Sequence, residues 1–319
     1  MSVVGFDTSN YTTSIAWFDG MSGENCSKLL PVQEGALGLR QSDAVFHHTA
    51  SLPELSGRLF SNFNRRITAI GVSTRPRAVE GSYMPCFSVG YSHAKLLADS
   101  LHVPLITCSH QQGHIAASLW SADRMDLMDK PHLAWHLSGG TTELLLVEPE
   151  GKSVRCTRIG GTTDISAGQL IDRTGQLLGL PFPSGKHLDA LSTEAVKSDV
   201  FKVKCSGAEF SLSGVQNKVQ QYYAKSEDPA ETAAYALRCV CIAVYQATQN
   251  ARKEHPGLDV VFSGGVSSNA MLRSAMLDFN PVFAEPRYST DNAMGVAVLA
   301  YRMQEVLDGA AGFIHHADK

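Results

Sequence analysis

Two histidines stand four positions apart in the sequence and could share one metal ion. His110 and His114 follow a short apolar stretch that predicts a strand, and residues 115–120 continue in a helical pattern. Side chains four positions apart lie on the same face of a helix, so both imidazoles could bind one cation. The spacing alone is weak evidence, because a chain with 12 histidines contains such pairs by chance. His132 and His136 have the same spacing in a strand pattern, which does not bring two rings together in that way.

The residues between the first two histidines disfavour a zinc protease. Such enzymes carry a glutamate directly after the first histidine, where it takes a proton from metal-bound water. Gln111 and Gln112 occupy the interval here, and a neutral amide cannot act as that base. A third metal ligand would be a carboxylate, and Asp291 stands at the start of the last predicted helix. Asp291 could be that ligand or the N-cap of the helix, and the sequence alone favours the cap.

A second group of candidate residues forms a hairpin tip that occurs twice. Residues 7–13 and residues 138–142 each join two apolar strand patterns, and both contain the pattern Ser-x-x-Thr-Thr. Small residues let backbone N–H groups approach an anion, and hydroxyls add donors, so two facing hairpins could hold a polyphosphate. Residues 263–265, Ser-Gly-Gly, end another predicted strand before a helix, where a helix N-terminus would favour an anion. Each tip could equally be an ordinary turn.

The repeated pattern predicts an α/β protein built from two related lobes. Each hairpin is followed by helical segments and by a further apolar strand, at 67–72 and at 258–262. We place the first lobe at 1–106 and the second at 107–299, with residues 300–319 packing back on the first. Helical spacing predicts helices at about 42–64, 84–101, 164–179, 186–197, 228–252, 267–277 and 291–307.

Composition narrows the classes of protein that the chain can be. A length of 319 residues predicts about two domains, and 44% hydrophobic with 18% charged residues is typical of a folded globular protein. The formal net charge of −4 means that a nucleic acid would have to be bound by a local basic region. The sequence has no apolar stretch of about 18 residues and no basic leader, so we expect a cytoplasmic protein without membrane contact. Seven cysteines without C-x-x-C spacing predict reduced thiols.

Taken together, these motifs resemble one family, the tRNA threonylcarbamoyladenosine transferases (the TsaD family). The resemblance runs from Val3 to about Ala300. The segments that carry it are residues 7–9 (DTS), 110–114 (HQQGH), 137–142 (LSGGTT), 164–188, 210–214 (FSLSG), 263–269 (SGGVSSN) and 290–293 (TDNA).

The resemblance implies a fold and a site. The fold would be the two-lobed one of the actin, sugar-kinase and heat-shock-chaperone ATPase superfamily, with a nucleotide and a metal in the cleft between the lobes. One divalent metal ion, usually iron and sometimes zinc, would be held by His110, His114 and Asp291, which makes Asp291 a ligand. ATP or threonylcarbamoyl-AMP would be the ligand of the hairpins and loops. The candidate residues are Ser9, Ser138, Gly139, Gly140, Thr141, Thr142, Asp172, Gly185, Gly264, Gly265 and Asn269.

The activity implied is metal-dependent transfer of a threonylcarbamoyl group from threonylcarbamoyl-AMP to the exocyclic amine of adenosine 37 in tRNA. The resemblance names no catalytic side chain. It implies three partners: tRNA, a paralogous non-catalytic subunit, and the small ATPase of the modification complex.

The chain departs from the usual family motifs at six positions that have lost an ionisable group. We expect all six to line the site, which predicts fewer acidic groups around the ligand and fewer general-base candidates. A divergent nucleotide-binding paralogue, acting as a scaffold or regulator or on another acceptor, is therefore the alternative function, and a metalloprotease is the least favoured one. The six residues are Tyr11, Thr12, Gln112, Thr141, Ile165 and Gln169.

Overall fold

The computed structural model describes residues 1–9, 11–31 and 39–314, with side chains as far as Gln304. The chain divides into two compact units. The first unit comprises Met1–Lys130, Glu148–Cys156 and Asp291–Lys319, and the second comprises Pro131–Val147 and Thr157–Thr290. Asn10 of the first hairpin tip, and the part of the predicted 300–319 segment after Ile314, lie outside the described residues.

Strands and helices alternate along the described chain. The strands are β1 (Ser2–Asp7), β2 (Thr12–Phe18), β3 (Gly23–Leu29), β4 (Ile67–Arg75), β5 (Leu105–Ser109), β6 (His132–Leu137), β7 (Thr142–Glu150), β8 (Ser153–Thr162), β9 (Cys205–Ser206), β10 (Glu209–Phe210), β11 (Val260–Ser263) and β12 (Val282–Phe283). The α-helices are α1 (Gln41–Phe60), α2 (Phe87–Leu101), α3 (His110–Ser121), α4 (Ala167–Leu177), α5 (Gly185–Ser192), α6 (Ser213–Ser226), α7 (Pro229–Glu254), α8 (Ala270–Ala275) and α9 (Met294–Ile314).

The first unit is built on a five-stranded sheet in the order β3-β2-β1-β4-β5. β1, β2 and β3 are antiparallel neighbours, whereas β4 and β5 run parallel to β1. The apolar side chains of β1, β2 and β4 on one face pack against α1 and α2. On the other face α9 passes so close to β1 that a Cβ on Gly5 would lie 2.7 Å from the Ala297 nitrogen.

The boundary of this unit lies later in the chain than the sequence predicted. We expected the first lobe to end at residue 106, but the first unit continues to Lys130. β5 is an edge strand of its sheet, and α3 packs along α9. These contacts keep the 107–130 segment with the first unit.

The second unit repeats the strand arrangement of the first. Its sheet has the order β12-β11-β6-β7-β8-β10-β9. β6 and β7 form the antiparallel hairpin, and β11 and β12 run parallel to β6. The order β12-β11-β6-β7-β8 therefore has the topology of β5-β4-β1-β2-β3, so the predicted duplication is confirmed. The buried residues of α7 pack with those of β6 in the core of this unit.

Several elements differ from the sequence prediction, and the helix α6 was not predicted. The helix expected at 267–277 is interrupted, because Asn269 has an extended backbone and begins α8 after a short 3-10 turn at Gly265–Ser268. The helix expected at 186–197 ends at Ser192. The third strand of each repeat, β3 and β8, was missed. Within the described residues, no helix combines the length and apolar character that a membrane crossing requires.

Asp164 fastens the beginning of the α4 segment to the beginning of α6 in the second unit. Its carboxylate accepts hydrogen bonds from the Leu212 nitrogen at 2.8 Å and the Ser213 hydroxyl at 2.6 Å, and also from the Ser211 hydroxyl. Burial raises the pKa of Asp164, but these hydrogen bonds outweigh it and hold the pKa well below its usual value. The ionised carboxylate therefore stabilises the attachment of the α4 segment to the start of α6.

We predict that Asp164→Ala lowers the free energy of unfolding by about 1–2 kcal/mol at pH 7, because charge-assisted hydrogen bonds are lost at a partly exposed site. A lowered native pKa stabilises the fold above the unfolded pKa of about 4 and stops doing so as the pH falls through the native pKa. The difference from the wild type should therefore shrink below about pH 4. Urea unfolding at several pH values measures this, with the exposed Glu194→Ala as a control. Equal decreases in the free energy of unfolding for the two variants would contradict this stabilising role of Asp164.

Candidate functional site

The helix that carries the two histidines begins with a capping box. β5 ends at Ser109, whose backbone is extended. The Ser109 hydroxyl accepts a hydrogen bond from the Gln112 nitrogen at 3.2 Å, and the Gln112 side-chain oxygen accepts one from the Ser109 nitrogen at 2.8 Å. This reciprocal pair satisfies two backbone donors and fixes His110 as the first residue of α3. His114 follows one turn later on the same face.

His110, His114 and Asp291 converge in the first unit. The His114 Nε2 atom lies 2.9 Å from the His110 Nε2 atom and 3.2 Å from Asp291 Oδ1. The remaining separation, between His110 Nε2 and Asp291 Oδ1, is 3.4 Å. Three ligand atoms of the kind that bind divalent metals therefore meet at one point.

Close packing of two helices brings Asp291 to the histidines. Gly113 in α3 and Gly295 in α9 touch so closely that a Cβ on Gly295 would overlap the Gly113 carbonyl oxygen. Asp291 is not the N-cap of α9, as the sequence alone favoured. The Asn292 side chain accepts a hydrogen bond from the Met294 nitrogen at 3.1 Å, and the Ala293 nitrogen donates to Ser14 Oγ at 2.9 Å. The Asp291 carboxylate is left to face the imidazoles.

A fourth group, the carboxylate of Asp7, contacts His110 from the other side of the ring. Asp7 Oδ2 accepts a hydrogen bond from His110 Nδ1 at 2.7 Å. Asp7 Oδ1 accepts from the Ser73 hydroxyl at 2.8 Å and from the Ser9 nitrogen at 3.0 Å. The Asp7 side chain is only 2% exposed. Asp7 belongs to the first hairpin motif, but no sequence pattern signalled a role for it.

The charges of these groups depend on one another. Burial by itself lowers the pKa of His110, but Asp7 and Asp291 raise it to about 10. Burial raises the pKa of Asp291, and the hydrogen bonds of His110 and His114 overcome this and lower it strongly. The pKa of Asp7 is also lowered, since His110 and Ser73 outweigh the effect of burial. Both carboxylates are therefore ionised, which favours a cation between them.

The spacing of the three ligand atoms suits a divalent metal ion. Two ligands that each lie about 2.1 Å from an ion are about 3.0 Å apart at a right angle and about 3.4 Å apart at the tetrahedral angle. The three separations of 2.9, 3.2 and 3.4 Å lie close to or between these values. Two imidazoles and one carboxylate also form a donor set that leaves coordination positions for a substrate. The residues present therefore fit the metal.

Two of the six unusual residues prove to be helix caps. Gln112 completes the capping box of α3, and its amide donates to the Val154 carbonyl oxygen at 2.7 Å and to Ser153 Oγ at 3.2 Å. Gln169 completes an equivalent capping box with Ser166 at the start of α4. Gln112 does not line the ligand site as expected, because its buried amide bonds to Ser153 and Val154. For the exposed Gln169 the expectation stays a prediction.

The other four of the six residues lie against the core of the second unit or at the two hairpins. Ile165 packs against the apolar core of the second unit. The Thr141 nitrogen donates to Ser138 Oγ at 3.1 Å and closes the second hairpin. Tyr11 and Thr12 stand at the first hairpin, where the Thr12 nitrogen donates to the Ser9 carbonyl at 3.2 Å.

The second hairpin is held against the start of α4. Ser166 Oγ donates to the Gly139 carbonyl at 2.6 Å, and Thr142 Oγ1 accepts from the Ala167 nitrogen at 2.8 Å. The Gly168 nitrogen donates to the Ser138 carbonyl at 3.3 Å. The hairpin therefore accepts hydrogen bonds from two backbone N–H groups in the first turn of α4. Gly139 and Gly140 of the tip have open space where a side chain would stand.

The loop after β11 lies against the same hairpin strand. Gly264 has a φ of +88°, and a Cβ there would lie 2.2 Å from the Leu137 carbonyl oxygen, so only glycine fits. Gly265, the next residue, has open space beside it. The structure thus brings the predicted Ser138–Thr142 and Gly264–Gly265 segments together in the second unit.

Three further predicted residues connect α4, α5 and α8. Asp172 Oδ1 accepts from the Ser184 nitrogen at 2.8 Å, next to Gly185, and burial raises the pKa of Asp172. Asn269 donates to Asp189 Oδ1 at 2.8 Å and caps α8 by accepting from the Leu272 nitrogen at 2.9 Å. Asp189 was missed, since no local pattern signals a partner 80 residues away. Ser9 alone among the predicted nucleotide residues lies in the first unit, where it contacts Asp7.

Comparison with known sequences identifies similar proteins. A family model described as tRNA N6-adenosine threonylcarbamoyltransferase (TsaD) matches residues 37–298. A protein of that name from Carboxydothermus hydrogenoformans is 31% identical over 266 residues, which are 80% of this chain and 77% of that protein. Another, from Sulfurihydrogenibium sp., is 32% identical over 323 residues, covering 95% of this chain and 90% of that protein.

Solved structures share the fold. Full-length HypF in its phosphate- and nucleotide-bound form has a TM-score of 0.61 and 14% identity over 97% of this chain. This chain covers 47% of HypF, less than half of that protein. The ROK hexokinase of Thermus thermophilus has a TM-score of 0.53 and 17% identity, covering 96% of this chain and all of that one. At these identities the similarity concerns the fold alone, and it confirms the predicted α/β fold with two duplicated units.

We predict that Gln112→Glu lowers the free energy of unfolding by about 1–3 kcal/mol, because a carboxylate oxygen would face the Val154 carbonyl where an amide now donates. Gln169→Glu is the matched control. A capping box accepts either residue, and Gln169 makes no comparable second bond within the described part of the chain, so its change should stay within about 0.5 kcal/mol. Denaturant unfolding measures both. Gln112→Glu should also leave metal affinity no tighter, and a tighter site would restore the idea that Gln112 retunes the ligand environment.

Proposed function

The chain belongs to the family of tRNA N6-adenosine threonylcarbamoyltransferases, and on this premise we propose that it transfers a threonylcarbamoyl group from threonylcarbamoyl-AMP to adenosine 37 of a tRNA. The enzyme class is that of the acyl-group transferases. The observation that carries the proposal is the convergence of His110, His114 and Asp291 at separations suited to a metal ion. This is the arrangement that the family resemblance implies for the metal ligands.

The reaction exchanges one bond at the carbamoyl carbon. The exocyclic amine of adenosine attacks that carbon and forms a C–N bond, the C–O bond to the phosphate breaks, and AMP leaves while the amine loses a proton. The chain must therefore hold a phosphate and an adenosine, orient the carbonyl, and stabilise charge that develops on oxygen.

We assign His110, His114 and Asp291 as the ligands of the metal. When bound, a divalent ion supplies positive charge that polarises the carbamoyl oxygen and offsets the charge of the phosphate. Two histidines and one carboxylate with open positions are typical of non-haem Fe(II) sites, so iron is proposed rather than zinc. The two carboxylates beside His110 favour positive charge at this point of the first unit.

We assign the loops of the second unit to ATP or threonylcarbamoyl-AMP. Gly139, Gly140 and Gly265 leave open space, so backbone groups there can approach a phosphate closely. Thr142 and Asn269 already bond to backbone and side-chain groups of the protein, so their role is to shape the loops. Asp172 positions the turn that carries Gly185.

The proposed partners follow from the family. They are tRNA, a paralogous non-catalytic subunit and the small ATPase of the modification complex. A chain with a net charge of −4 does not attract tRNA as a whole, so tRNA would be bound by a local basic region or with help from a partner.

The two alternative functions have less support. The case for a nucleotide-binding scaffold rested on lost ionisable groups, and Gln112 and Gln169 serve as helix caps instead. A metalloprotease needs a base beside the metal. Gln112 bonds to Val154 and Ser153 instead, and Asp7 and Asp291 are bonded to the histidines.

We predict that the protein, incubated with threonine, bicarbonate, ATP, tRNA, the adenylate-forming enzyme and the proposed partner proteins, produces threonylcarbamoyladenosine detectable by mass spectrometry. His114→Ala and Asp291→Ala should each lose a stoichiometric metal and most of the product, because each removes one of three ligands. His93→Ala, a histidine of α2 that bonds only to the Val89 carbonyl within the described residues, is the control and should keep both.

Each failure has a distinct meaning. Bound metal and nucleotide without product, while an established family member works in parallel, would reject the transferase and favour the scaffold. Metal retained by both ligand variants would reject the assigned site.

A further inference from the structure

We propose that Asp7 is a positioning residue of the metal site: its carboxylate fixes the orientation and tautomer of His110 and adds a second negative charge beside the ion. The inference rests on the metal site proposed above and assigns a role to a residue outside the ligand set. Asp7 ends β1, and His110 begins α3, 103 residues later in the chain.

The hydrogen bond decides which ring nitrogen is available. An ionised carboxylate can only accept hydrogen bonds, so the 2.7 Å contact between Asp7 Oδ2 and His110 Nδ1 requires a hydrogen on Nδ1. In the neutral imidazole the lone pair then belongs to Nε2. Nε2 is the atom that lies 2.9 Å from His114 Nε2 and 3.4 Å from Asp291 Oδ1. The Asp7 bond thus turns the ligand atom of His110 towards the other two.

Asp7 is itself held in place. Its second oxygen accepts from the Ser73 hydroxyl of β4 at 2.8 Å and from the Ser9 nitrogen at 3.0 Å. Ser73 and Ser9 are 0% and 1% exposed. The carboxylate therefore has three donors on two oxygens in a site that solvent does not reach. The central strands of the sheet, and not only the helix, fix the direction of the His110 ring.

The negative charge of Asp7 also helps to balance the charge of a divalent ion. Two neutral imidazoles with Asp291 alone would leave a divalent ion with one uncompensated positive charge. The carboxylate of Asp7 brings the count to zero, and a neutral assembly is the form that a buried site tolerates at the lowest cost. A carboxylate bonded to the far nitrogen of a metal-binding histidine raises ligand basicity and orients the ring, and its loss costs about 10–100-fold in metal affinity.

The test compares metal binding in three variants of the full chain. Zn²⁺ affinity is measured by competition with a chromophoric chelator, and Fe²⁺ affinity in the same way without oxygen. Asp7→Asn keeps the size of the side chain but removes its charge, and it should bind both ions about 10–100-fold more weakly. Ser73→Ala removes one donor from Asp7 and keeps the carboxylate, so it should weaken binding about threefold. Asp129→Asn, which removes a surface carboxylate paired with Arg302 in the same unit, is the matched control and should change neither affinity.

A spectroscopic readout separates positioning from general damage. In the Zn²⁺-loaded wild type, the proton on His110 Nδ1 should give a downfield NMR resonance that is protected from solvent, and Asp7→Asn should shift or lose it. Thermal unfolding by circular dichroism checks that each variant is folded. If Asp7→Asn does not fold, Ser73→Ala decides, and an unchanged affinity and resonance there overturn the inference.

The outcomes also separate this inference from the proposed function. A wild type that binds metal, together with a folded Asp7→Asn of equal affinity and unchanged resonance, overturns the role of Asp7 and leaves the metal site intact. A wild type that binds neither ion overturns the metal site and this role with it.

Discussion

The buried carboxylate of Asp7 constrains several segments of the first unit at once. An ionised carboxylate without water is costly unless it is paired and hydrogen-bonded. Asp7 meets that requirement through His110, Ser73 and Ser9, which come from α3, from β4 and from the hairpin after β1. Three separate segments must therefore be in register before the charge is satisfied. The pair of carboxylates that raises the pKa of His110 is also what makes the site attractive to a cation.

The duplicated sheet shows how one topology supports two different sites. In the first hairpin, Thr8 Oγ1 donates to the Cys86 carbonyl and accepts from the Gly90 nitrogen, which ties the strand to α2. In the second hairpin, Thr142 Oγ1 accepts from the Ala167 nitrogen at the start of α4. In both units a hairpin hydroxyl thus anchors a helix. The sequence suggested that the hydroxyl-rich tips donate hydrogen bonds to a phosphate, but some of these hydroxyls hold helices in place instead. Gly139 and Gly140, beside Ser138, still have open space next to them.

The sequence reveals the features that depend on local pattern. Strands such as β1, β4, β6 and β11 are apolar runs, and the His110–His114 pair follows from helical spacing. β3 was missed because its residues are mostly exposed and polar, so they show no buried run. The helix at 267–277 was overestimated because apolar spacing does not reveal the extended backbone of Asn269. Asp291 was assigned as a ligand only by resemblance, since its contact with His114 spans 177 residues and depends on the packing of α3 against α9.

Gln112 shows why a change within a motif need not be a change within a site. Successive residues of an α-helix are rotated by about 100°, so His114 returns to within about 40° of His110, whereas Gln112 points about 160° away. The motif therefore places its middle residue on the opposite side of α3 from the metal, where Gln112 bonds to Val154. A glutamate there could cap the helix but could not donate that hydrogen bond. The lost acid at this position thus reflects how α3 is attached to Ser153 and Val154 of the same unit, and the ligand set of His110, His114 and Asp291 is unaffected by it.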